Sequence, residues 1–164
     1  MSFNGNFMPT SFKVGLLNGV FSFTPGTGDN YYIALYDNTG ATQFNASTSA
    51  YTATNGQVPN GAVYQTGGQL LTVSNSVPAP LGPTWTGGTI AYINFENVTW
   101  AAATITARGA LIYKNATVTI GGSSVVKPVI AVLDFGSDKS SSASNFTIQF
   151  PSVGDGSTAI LRIA

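Results

Sequence analysis

The chain contains no cysteine and no histidine, and only 7% of its 164 residues are charged. Each absence excludes something. Without cysteine there is no disulfide framework and no thiolate metal site. Without histidine the commonest general base and the commonest transition-metal ligand are missing. A serine nucleophile has no imidazole to activate it, and no Gly-x-Ser-x-Gly elbow occurs. An ordinary globular protein carries roughly 25% charged residues, so the polar surface here must come from Ser, Thr, Asn, Gln and Gly. Hydroxyls and amides cost far less to desolvate than ions, and interface cores are depleted of charge. Such a surface suits lasting contact with other subunits. The six Lys and Arg are scattered and net charge is zero, which argues against electrostatic nucleic-acid binding. No apolar run approaches the roughly 20 residues that span a bilayer, and no secretory leader is recognisable. The sequence predicts a soluble protein made in a cytoplasm, with no membrane partner.

What is present is a β pattern. Hydrophobic residues make up 43% and aromatics 12%, enough for a core in one domain. "SFKVGLLN" (11–18) is the one helix candidate, with Ser11 as cap, Phe12 and Leu16, joined by Val14 and Leu17, inward, and Gly19 as stop. "YYIALYD" (31–37), "QLLTVSN" (69–75), "TIAYINFE" (89–96), "ATITARGALIYK" (103–114), "KPVIAVLDF" (127–135), "NFTIQFP" (145–151) and "STAILRIA" (157–164) read as strands. Alternation in 103–114 predicts Ile105, Ala107, Gly109, Leu111 and Tyr113 on one face. The unbroken apolar run 127–135 predicts a strand covered on both faces. Residues 41–68 read as an extended loop holding little core. Short strands joined by Gly-, Pro- and Ser-rich turns predict an all-β fold: an antiparallel β-sandwich, jelly-roll-like, with one short N-terminal helix. The expected organisation is an N-terminal arm at 1–10 and a single sandwich domain at 11–164.

The tripeptide Asp134-Phe135-Gly136 holds magnesium in protein kinases, but only beside a His-Arg-Asp loop. Lacking histidine, the chain has no such loop. The simpler reading places Phe135 at a strand end, with "GSDKSSSAS" as a hairpin loop and Asp134 or Asp138 bonding turn amides. The six acids form no recognisable catalytic pair. Calcium at "GTGDN" or "GSDKS" is the weak metal alternative. The sequence therefore predicts no enzyme, no cofactor and no resident metal. Tyr31, Tyr32, Tyr36, Trp85 and Trp100 could stack on sugar rings, which makes a carbohydrate-binding module a rival reading. Arg108, in mid-strand, must meet solvent, an acid or a partner subunit.

The stretches "TSFKVGLLNGVFSF", "YYIALYDNTG", "AYTATNGQVPNGAVYQTGGQLL", "INFENVTWAAATITARGALIYK", "VIAVLDFGSDKSSSASNFTIQFP" and "AILRIA", in that order, resemble a widespread family of small structural proteins of tailed bacteriophages. The resemblance runs from about Thr10 to Ala164 and carries core and turn residues rather than a catalytic signature. It implies a virion component, most readily a capsid decoration or cement protein on the capsid surface. Its partners would be the major capsid protein and other copies of itself, and a trimer would suit three-fold positions. A tail, neck or fibre component is the second reading. The candidate contact residues are Phe3, Phe7 and Met8 on the arm, Trp85 on a proline-rich insertion, and Arg108.

Overall fold

The computed structural model describes residues 2–73, 84–85, 90–151 and 158–163, with the backbone alone at 84–85. The fold is all-β, antiparallel and sandwich-like, with one short N-terminal helix. In chain order the elements are α1 (Thr10–Leu17), β1 (Tyr31–Tyr36), β2 (Gln69–Leu71), β3 (Thr84–Trp85), β4 (Ala91–Ile93), β5 (Val98–Lys114), β6 (Thr117–Ile120), β7 (Ser123–Val126), β8 (Val129–Ile148) and β9 (Leu161–Ile163). A four-stranded sheet has the order β2-β1-β5-β8, and a three-stranded sheet has the order β3-β4-β9.

One long hairpin organises the molecule. β5 pairs with β8 from Val98–Ile148 to Tyr113–Val129, and β6 and β7 carry the ladder on from Thr117–Val126 to Ile120–Ser123. Gly121 and Gly122 close it, with φ of 56° and 83°. Two successive positive φ values make the primed turn whose twist matches paired strands, and two glycines adopt it without a Cβ penalty.

β1 lies against only the inner part of β5, from Gly109 to Lys114. There the sheet is buried on both faces. Tyr31, Ile33, Leu35, Ala110, Ile112 and Ile130 face the main core, which includes Phe12, Phe23, Phe95 and Trp100. Ala34, Tyr36, Leu111, Tyr113 and Val132 face a second cluster with Phe3 and Phe44. The double coverage expected of 127–135 is thus found. Residues 41–68 are mostly irregular, as expected, yet they supply Phe44, Val58 and Tyr64 to the core. Three large side chains contradict the reading of little core there.

Two other expectations need correction. The segment "GSDKSSSAS" is no hairpin loop. Phe135 to Asp138 bulge, where the register jumps between Ala107–Lys139 and Gly109–Asp134, and the register shifts again on both sides of Ala103–Ser144. From Lys139 onward the serines are strand. Their main chain pairs with β5, and hydroxyls join the ladder through Thr106–Ser140 at 2.9 Å and Thr99–Thr147 at 2.8 Å. A serine-rich composition marks solvent exposure as readily as it marks a turn. The same bulge resets the alternation of β5. Ile105 and Ala107 face the main core, whereas Leu111 and Tyr113 face the second cluster. A β-bulge shifts the period-two pattern by one, so one alternation cannot be carried through it.

The N-cap falls at Pro9, two residues before the expected Ser11, which lies inside the helix. Phe12 is buried, but Leu17 is 89% exposed. The expected strand at 69–75 is described only as far as Val73, and that at 157–164 only as Leu161–Ile163. Most of the insertion at 76–88 lies outside the described residues.

Candidate functional site

The N-terminal segment is not held apart from the domain. The Ser2 N–H donates to Asn38 Oδ1 at 2.8 Å, and Ser2 O accepts from Phe44 N at 2.8 Å. Phe3 is 1% exposed, with its ring centroid 5.1 Å from that of Phe44. It lies so close over Gly109 that a Cβ there would be 2.6 Å from its ring and 2.4 Å from Leu133 O. Further on, Asn6 Oδ1 accepts from Asp134 N at 2.7 Å. Phe7 pairs with Val132 through two main-chain bonds of 3.0 and 2.9 Å. The segment is therefore a strap across the second cluster, closing the outer edge of β8 at Val132. This corrects the expectation for Phe3. A buried core plug cannot serve as an outside contact while the strap is docked.

Phe7 is half-buried on the strap. Met8 is half-buried too and borders an apolar cavity of about 200 Å³ between α1 and the β4–β9 strands. The side chain of Trp85 lies outside the described residues. Arg108 Nε donates to Asp134 Oδ1 at 3.1 Å. The same oxygen accepts from Gly136 N at 2.8 Å. Asp134 thus anchors the bulge and neutralises Arg108 in mid-strand. Of the contact candidates, the structure brings Phe3, Phe7 and Arg108 to one region, around Gly109, Val132 and Asp134, while Met8 sits on the α1 side.

A second ion pair was not apparent from the sequence. Lys114 is 8% exposed and reaches Asp29 Oδ2 at 2.8 Å. Its ammonium also donates to Val20 O at 2.7 Å. A buried charge needs such partners, and they tie the loop before β1 onto β5. The only hint was a lysine closing an apolar strand in a chain that uses few charges. Asp29, one of the calcium candidates, is held by this lysine and by Ser22 N. Among the described residues no three His, Cys, Asp or Glu side chains gather as metal ligands do.

The tyrosines are core groups. Burial first, then the nearby Asp29 carboxylate, pushes the Tyr31 phenol far above its ordinary value. Burial likewise raises Tyr36, Tyr64 and Tyr113. Tyr31 and Tyr36 are fully buried and Trp100 is 3% exposed. Of the described stacking candidates, only Tyr32 keeps part of its ring at the surface.

The surface left over is the outer part of the hairpin. Along Val98–Ala107 and Lys139–Ile148, one face buries Val98, Trp100, Ile105 and Phe146. The other presents Thr99, Thr104, Thr106, Ser140, Ser142 and Thr147. β8 is the last strand of its sheet, and past the strap its outer edge has no neighbouring strand among the described residues. The arrangement offers hydroxyls and main-chain groups for contact. Comparisons with protein-family models, curated proteins and solved structures give no match to this chain.

Proposed function

We propose that the protein is a structural component of a tailed-bacteriophage virion, acting as a head decoration protein. The outer hairpin would be its adhesive surface. The observation that carries this reading is where the charge goes. Of six basic and six acidic side chains, Arg108, Lys114, Asp29 and Asp134 are used in two largely buried pairs. The exposed hairpin face beyond the Arg108–Asp134 pair is mostly Ser, Thr and Ala, with Lys139 at its inner end. Such a face can be covered at low desolvation cost, and an open strand edge offers unpaired main-chain groups to another chain. Burying that surface across capsomer junctions would hold the shell together without chemistry. The partners would be the major capsid protein and further copies of this chain. The carbohydrate-binding reading loses support, since Tyr31, Tyr36 and Trp100 are inside the core.

The test is cryo-electron microscopy of particles of the parent phage. Density for this fold at symmetric capsomer junctions, with residues 139–148 against the shell, is the expected result. Density at the neck, tail or fibres would move the role there, and absence from the particle would overturn the virion reading. Lysines at Thr106 and Ser142 should abolish retention on particles while leaving the fold intact.

A further inference from the structure

Four asparagines precede glycine: Asn4, Asn18, Asn55 and Asn60. The Asn-Gly pair is the one most prone to close on itself, because glycine has no side chain to shield its nitrogen. The fold treats the four differently. At Asn18 the attacking nitrogen, Gly19 N, is bonded to Leu16 O at 3.1 Å. At Asn60 the nitrogen of Gly61 is bonded to Tyr64 O at 2.9 Å, and the Asn60 carbonyl accepts from Thr66 N. The side chain of Asn55 is clamped at both ends by the main chain of Thr42, at 2.9 and 2.6 Å. Asn4 is exposed. Among the described residues, neither its side chain nor the Gly5 N–H has a hydrogen-bond partner.

We propose that Asn4 is a self-modification site, which deamidates in the folded protein while the other three Asn-Gly pairs are held back. The Gly5 nitrogen attacks Cγ of the Asn4 amide. The new N–Cγ bond forms as the amide C–N bond breaks, and ammonia leaves with the proton from Gly5. Water then adds to one carbonyl of the five-membered imide. Opening one way leaves aspartate at position 4, and opening the other way leaves isoaspartate, with the main chain rerouted through the side chain. No electrons change hands. Either product adds a negative charge, and isoaspartate adds one carbon to the main chain. The change falls between the two fixings of the strap, the Phe3 plug and the Phe7–Val132 pairing. The result is a strap that loosens with age.

The experiment incubates the folded protein at mildly alkaline pH. Conversion at all four asparagines is then measured by fragmentation mass spectrometry, with a parallel sample in urea. A hydrogen bond that must open first slows the closure by up to about tenfold. The expected result is conversion at Asn4 about tenfold faster than at the other three in the folded protein, with the rates converging in urea. Comparable or faster conversion at Asn18, Asn55 or Asn60 in the folded state would overturn the proposal. So would an Asn4 that converts in urea but not when folded. Aged protein should also exchange the Val132 amide hydrogen faster than an Asn4→Gln protein of the same age; equal exchange would remove the loosening from the proposal.

Discussion

The two ends of the β5–β8 hairpin are the same pair of strands in two environments. The inner end, Gly109–Lys114 with Val129–Asp134, is apolar, buried on both faces, and flanked by β1 on one side and the strap on the other. The outer end, Val98–Ala107 with Lys139–Ile148, buries one face and turns hydroxyls outward on the other. The bulge at Phe135–Asp138 separates them. Stability and availability for contact are thereby divided along one element. The inner end can be optimised for packing because the outer end carries the surface.

The contrast can be broken most severely with alkali. Tyr113 lies on the inner end and Tyr31 and Tyr36 on β1 beside it, and burial raises each above the ordinary phenol value of 10.0. Below that pH both folded and unfolded chains keep these protons. Above it the unfolded chain releases them first, so it holds fewer protons and stability falls as pH rises. Circular dichroism should show loss of the sheet above about pH 10. Next, Leu111→Ala should cost about 2–5 kcal/mol by urea unfolding, as a fully buried leucine does when truncated. Asp134→Ala should cost about 1–3 kcal/mol, because Arg108 and Gly136 N both lose their acceptor, with part of the loss recovered by water.

At the outer end even the sign should change. Ala102 and Ala143 have φ of 51° and 46°, a left-handed backbone that costs an L-residue roughly 1–2 kcal/mol. Ala102→Gly should therefore raise the unfolding midpoint slightly, by up to about 1 kcal/mol once the entropy of glycine is set against the strain. Smallest of all, Thr106→Ala with Ser140→Ala should shift stability by no more than about 0.5 kcal/mol, as exposed substitutions do. A large loss from that last pair would show the outer hydroxyls to be structural rather than a contact surface.

The inner end was legible in the sequence, since unbroken apolar runs such as 127–135 have few other uses. For Arg108 the sequence leaves solvent, an acid and a partner subunit open, and the structure supplies the acid; Asp134, one of two acids expected to bond turn amides, does so at Gly136 N. The outer end is legible only in part: 103–107 and 145–148 read as strand, and the serine run before 145 does not. Serines at 140–144 satisfy turn statistics as well as a solvated strand, and only pairing with β5 decides between them. The strap was misjudged for a related reason. Phe3 meets Gly109 and Phe44 through contacts far away in the chain, and no local pattern signals that. The Lys114–Asp29 pair has no local signature, because Asp29 sits in a loop with no periodicity of its own.

The Gly121–Gly122 turn also sets an order of assembly. Its neighbours Ile120 and Ser123 close first, because their loop is the shortest, and pairs added outward meet a loop entropy that grows only slowly. The hairpin therefore zips from its tip toward Val98 and Ile148. β1 and the strap precede it in the chain; they can meet β2, Asn38 and Phe44 early, but their docking on β5 and β8 waits until residues near 109–134 have been made. During synthesis the first third of the molecule must wait for the last third. Phe3, Tyr36 and Phe44 can meet one another early, but the side they turn to Leu111 and Val132 stays uncovered until then, and a nascent chain stalled before Gly121 would be the species most prone to aggregate.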